Sequence, residues 1–179
     1  MGNKQEVPLW LLEERAYNLS LPLSKNKEDY ISVIAFNISK TTIGIPIKEL
    51  KEIVKVPLIT WVPSVPPFVR GVFQLLDGPV AALDLGVLLG DPPLRGDLFA
   101  LVISNEENKA ALLTQSFRQY NFPAHKLGNI PEDLTLEVRK WGQGVIWIDE
   151  ALIVVLDVVK FFANFKIHTS GGSLNAESH

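Results

Sequence analysis

The chain repeats itself, and a chain that repeats itself must build the same small structure twice. Laid over "GVIWIDEALIVVLDVVKFF", the segment "GVFQLLDGPVAALDLGVLL" aligns without a gap at a shift of 73 residues. Gly71 falls on Gly144, Val72 on Val145, Leu83-Asp84 on Leu156-Asp157 and Leu88-Leu89 on Phe161-Phe162. An earlier pair, "ISVIAFNISKTTIGIPI" over "LFALVISNEENKAALLT", aligns at a shift of 67. Both halves read hairpin, long connection, glycine-led hairpin, short helix, which predicts a duplicated supersecondary unit.

The repeated elements are β in character. "YISVIAF" is rich in β-branched and aromatic residues, and "TTIGIPIKEL" alternates with period two through Ile43, Ile45 and Ile47. Pro57, Pro63, Pro66 and Pro67 predict an extended crossing in which no long helix forms. Asp77-Gly78 reads as the turn between two strands, and "DLGVLLG", with Asp at its start and Gly at its stop, as a two-turn helix. "ALIVVL" lacks polar alternation, as a strand covered on both faces does. Roughly five short strands per half, with turns every 8 to 12 residues or so, suit two small barrels sharing a core. Asp84 and Asp157 occupy equivalent places, so they read as N-caps of two separate helices rather than as a catalytic pair.

Composition narrows the function. Of 179 residues, 47% are hydrophobic and 21% charged, enough apolar material for an ordered core. The net charge is −3 and no Lys/Arg run exceeds two residues, which argues against nucleic acid as a partner. Cysteine is absent, so thiol chemistry and thiolate metal sites are excluded, and His125, His168 and His179 lie too far apart in sequence to suggest a metal site. No nucleophile elbow, P-loop, dinucleotide fingerprint or zinc-protease motif appears, so neither a cofactor nor an enzymatic activity is expected. The most apolar stretch, "ALIVVLDVVKFFANF", is broken by Asp157 and Lys160, short of a membrane span. No export signal is visible either, and the expected location is the cytoplasm.

Residues 1–29 read as an N-terminal extension with a short amphipathic helix through Leu9, Leu12 and Ala16, and residues 169–179, "TSGGSLNAESH", as a disordered tail. Of Trp10, Trp61, Trp141 and Trp147, at least three are expected in or against the core, with Trp61 in the proline-rich crossing the best candidate for exposure.

Taken together these residues resemble the CheW-like coupling domain of bacterial chemosensory systems. The resemblance runs from about Tyr30 to Phe165: the opening strand "YISVIAF", the element Leu50-Lys51-Glu52-Ile53, the crossing and hairpin "PSVPPFVRGVFQLLDGPVAALDL", and the closing "GVIWIDEALIVVLDVVKFF". It implies an all-β fold with short helices, two intertwined five-stranded SH3-like β-barrels, over residues 30–168. It also implies a non-catalytic adaptor that links the cytoplasmic tip of a methyl-accepting chemoreceptor to the regulatory domain of a CheA-type histidine kinase. Such an adaptor does not insert into the membrane and is recruited to membrane-associated receptor arrays. Protein contacts are then expected at Leu50, Glu52, Ile53, Trp61, Arg70, Gly71 and Leu76. For Leu50 and Ile53 a core role is weighed equally, and Gly71 reads first as a backbone device. One departure stands out. The family's Asn-Leu-Arg-Gly is Gln74-Leu75-Leu76-Asp77 here, so an apolar side chain replaces a guanidinium. This leaves open a scaffold of a related motility pathway, twitching or phototaxis, that binds itself or the kinase and has lost the receptor site. A small-ligand sensor is a third reading.

Overall fold

In the computed structural model, the structure describes residues 29–148 and 150–165. The expected N-terminal helix with Trp10, and the tail with His168 and His179, lie outside the described residues.

Ten strands form two five-stranded sheets. The first half supplies β1 (Tyr30–Ile38), β2 (Thr41–Pro46), β3 (Leu50–Lys55), β4 (Val69–Leu75) and β5 (Gly78–Leu83), followed by helix α1 (Leu85–Leu88). The second half supplies β6 (Phe99–Ser104), β7 (Lys109–Thr114), β8 (Arg118–Pro123), β9 (Gly142–Ile148) and β10 (Ala151–Leu156). Helix α2 (Leu136–Trp141) precedes β9, and helix α3 (Val158–Phe165) follows β10. Strands β4 and β5 superimpose in sequence on β9 and β10 at the shift of 73 seen in the alignment.

The two halves exchange strands. The first sheet runs β8-β1-β2-β10-β9 and the second β3-β6-β7-β5-β4. Each half therefore gives its first two strands to one sheet and its last three to the other. The halves join through the parallel pairs β2–β10 and β5–β7 and the antiparallel pairs β1–β8 and β3–β6, and the pairings within each half are antiparallel. Neither half completes a sheet alone, which is the physical content of the intertwining.

Period-two alternation then builds three clusters from the same strands. On β10, Ile153 and Val155 pack with Val33, Ala35, Phe122 and Ile146 inside the first sheet's curl, while Val154 and Leu156 face the second sheet. On β7, Ala111 and Leu113 line the second sheet's interior, while Ala110 and Leu112 face the first. The shared cluster between the sheets is closed by α3, whose Val158, Phe161, Phe162 and Phe165 are buried at helical spacing. Phe161 meets Trp141 edge-on, Phe165 packs tilted against both, and Phe68 of the crossing meets Phe165 edge-on at 5.5 Å between centroids.

Three local expectations need correction. The β4–β5 turn is Leu76-Asp77, one residue earlier than expected, because Leu75 pairs with Gly78 and Gly78 takes the positive φ of +125° as the first residue of β5. Helix α1 has only four residues, ending where Gly90 turns the chain at φ +92°. Its counterpart α3 runs eight, because its apolar face extends to Phe165. The tryptophans divide differently as well: Trp141 is 2% exposed, but Trp61 and Trp147 are 72% and 65% exposed. Trp147 lies on β9 at the position equivalent to the exposed Gln74 of β4, and alternation turns both outward.

The two equivalent aspartates also part company. Asp157 accepts a hydrogen bond from the Lys160 backbone N–H at 2.9 Å, an N-cap in fact as well as in position. Asp84 makes no such bond and turns its carboxylate inward. Asp157→Ala is therefore expected to lower stability by about 1 kcal/mol, read as the shift in chemical-denaturation midpoint with an unchanged slope.

Candidate protein-interaction surface

All seven candidate residues fall on the second sheet or the crossing that feeds it, but at different ends. Pairing of Leu50 with Ile103, Lys109 with Ser104 and Leu75 with Gly78 puts the start of β3 and the β4–β5 turn at one end. Leu50, Glu52 and Leu76 belong to that end, and Ile53 to the middle of β3. Arg70 lies at the other end, where Val69 pairs with Leu83. Lys109 reaches across to the turn, its Nζ 2.8 Å from Asp77 Oδ1, and this hydrogen bond, helped by Lys51, holds the Asp77 carboxyl below its usual value of 3.8.

Burial separates framework from surface. Leu50 and Ile53 are half-buried against the shared core, so their side chains serve packing first, while Glu52 is exposed. Gly71 is buried, and its role is geometric. It takes φ +133°, and a Cβ there would collide with the carbonyl oxygen of Thr60. The absent side chain lets the crossing lie against β4, where Thr60 and Val72 exchange backbone hydrogen bonds of 2.7 and 2.9 Å. Gly144 does the same in the second half: its Cβ would come within 2.8 Å of the Gly128 oxygen, and Gly128 bridges to Val145. The glycines that lead both hairpins are thus explained by a close approach of backbone to backbone.

Arg70 is held from inside. Its Nη1 lies 3.1 Å from Asp84 Oδ2 and 3.1 Å from the Leu94 carbonyl oxygen, with 31% of its side chain exposed against 1% of Asp84's. Its stem and head secure the loop after α1, and part of its charge still faces solvent.

The crossing and the turn carry the apolar surface. Leu76 is 110% exposed at the hairpin tip, Leu58 89% and Trp61 72%. The antiparallel bridge between Thr60 and Val72 runs Leu58 toward the hairpin tip and Trp61 toward Gly71. Leu58 and Ile59 also line an open groove of about 250 Å³ with Val56, Gly96, Asp97 and Leu98. Sequence reasoning passed over Leu58, although its place directly after Pro57 in the proline-rich crossing was the available signal. Trp147 was missed because alternation was not applied to β9. No group of three or more His, Cys, Asp or Glu that could hold a metal occurs among the described residues. Among them, too, no helix is long and apolar enough to cross a membrane.

This geometry is one of packed sheets with apolar ledges. The family model described as the CheW-like domain matches residues 32–166, so the chain belongs to the CheW-like family, the non-catalytic scaffold proteins of chemotaxis. It is similar to the chemotaxis protein CheW of Treponema pallidum (strain Nichols), 24% identical over 154 residues that cover 82% of this chain and 90% of that protein. Among solved structures it is similar to the scaffolding protein TtCheW from Thermoanaerobacter tengcongensis, with a TM-score of 0.64 and 21% identity over 82% of this chain and 100% of that one. The latter likeness shows the fold, the two five-stranded SH3-like units expected from the resemblance.

Proposed function

We propose that this chain is an adaptor coupling a chemoreceptor-type sensor to the regulatory domain of a CheA-type histidine kinase, recruited to receptor arrays from the cytoplasm. The exposed apolar side chains of the second sheet carry this reading. Leu58, Trp61 and Leu76 stand in solvent on a fold whose cores are already filled, and side chains so placed are available to pack against a partner. Trp61 is the natural anchor, since tryptophan is enriched among residues that dominate binding energy. Arg70 and Glu52 supply a charged rim of both signs.

Leu76 supports a second reading, a scaffold that keeps the kinase or binds itself and has given up the receptor. A fully exposed leucine replaces the guanidinium that the family motif carries at this turn, and leucine cannot form a bidentate pair with a receptor carboxylate. Calorimetric titration of the intact chain with a receptor cytoplasmic fragment, and separately with the kinase regulatory domain, tests both. The adaptor reading predicts saturable binding to each with Kd on the order of tens of micromolar or tighter. The second predicts binding to the kinase domain alone, with Leu76→Arg raising receptor affinity about tenfold or more.

A further inference from the structure

A cleft of about 220 Å³ lies between the β1–β2 turn of the first sheet and the loop after α1 of the second, with Asn37, Ser39, Asp84, Gly86 and Asp91 among the residues lining it. At its base sits Asp84, 1% exposed in its side chain. Oδ2 accepts from Arg70 Nη1 at 3.1 Å and from the Leu94 backbone N–H at 2.8 Å, but Oδ1 is buried and accepts from nothing. A buried carboxylate oxygen left bare in this way is rare and destabilising. Asp91 turns its own carboxylate the same way, with no hydrogen bond or ion pair to it among the described residues. The point where a Cβ would stand on Gly86 is 3.2 Å from Asp91 Oδ2 and 3.4 Å from Asp84 Oδ1. Two carboxylates thus converge on a space kept open because residue 86 has no side chain.

The charges there do not balance. Arg70 offsets one carboxylate, and a net negative charge remains. The other polar liners, the Asn37 amide and the Ser39 hydroxyl, add oxygen donors and no further charge. Hard oxygen donors, one or two carboxylates and room for several waters suit a divalent cation that keeps part of its hydration shell. We propose that this cleft binds magnesium or calcium, with Asp84 Oδ1 and the Asp91 carboxylate as its protein ligands. The cation satisfies the bare oxygen and ties the loop after α1 to the β1–β2 turn. The site adjoins the proposed partner-binding surface at Arg70, which pairs with Asp84.

Thermal unfolding of the full chain with MgCl₂ or CaCl₂ at about 10 mM, against NaCl at matched ionic strength, tests it. A ligand bound only to the native state raises Tm, and a saturable rise of roughly 3 °C is expected. Asp91→Asn and Gly86→Ala should each abolish the rise; the second fills the space with a methyl group at a helical position that alanine favours, with the Asp91 carboxylate giving way by a few tenths of an ångström. If either variant fails to fold, the other decides. No rise beyond the NaCl control, or an equal rise in the variants, would overturn the proposal. So would a rise with methylguanidinium chloride and none with either metal, which would make this a site for an organic cation.

Discussion

Gly71→Ala should lower the stability of this chain by about 3 to 5 kcal/mol, a large part of what a domain of this size has to lose. Two effects combine. At φ +133° the residue occupies backbone space that side chains avoid, which alone is worth roughly 1 to 3 kcal/mol. The new Cβ must also displace the crossing, since it would overlap the Thr60 oxygen and stand 2.8 Å from Ile59 Cγ2 and 2.9 Å from the Thr60 carbonyl carbon. Moving the crossing breaks the Thr60–Val72 hydrogen bonds and tilts the segment that presents Leu58 and Trp61. Gly78→Ala separates the two effects. Gly78 has a similar φ of +125°, but nothing lies within 4 Å of its Cβ position, so it should show the strain alone. Urea midpoints for the two variants check the account, which is wrong if Gly71→Ala loses no more than Gly78→Ala.

Asp84→Ala should lower stability by about 2 to 4 kcal/mol, several times the effect of Asp157→Ala at the equivalent place. Removing the carboxylate strips Arg70 of its ion pair and leaves the Leu94 N–H without its acceptor. Partial exposure of Arg70 keeps the loss below that of a fully buried charge. The comparison is internal, since both residues precede a helix at the same step of the duplicated plan. Equal effects in the two variants would mean that the inward carboxylate contributes no more than an exposed cap.

The duplication was legible because its markers are steric. Gly71 and Gly144 recur since backbone passes over backbone at both places, and no other residue fits at either. The double-sided burial of β10 was legible too, because a strand with a face toward water needs polar residues that "ALIVVL" lacks. The strand exchange was not. Pairing β2 with β10 and β5 with β7 is a long-range choice that alternation within a strand does not encode. The fates of Asp84 and Asp157 were hidden for a similar reason, since what draws Asp84 inward is the loop at Leu94 and Arg70, whose equivalent in the second half is Gln143. At the candidate surface, the exposure of Leu76 follows once the turn is placed at Leu76-Asp77, and a shift of one residue was enough to obscure it. Trp147 was assigned to the core by residue type, although its position on β9 directs it outward.

The central claim is that the chain bridges two proteins across ledges its own core does not need. Sedimentation of a three-component mixture, the intact chain with a receptor cytoplasmic fragment and a kinase regulatory domain, addresses it most directly. The account predicts a faster species containing all three, absent when the chain is withheld. A chain that sediments at its own rate in the presence of both would contradict it.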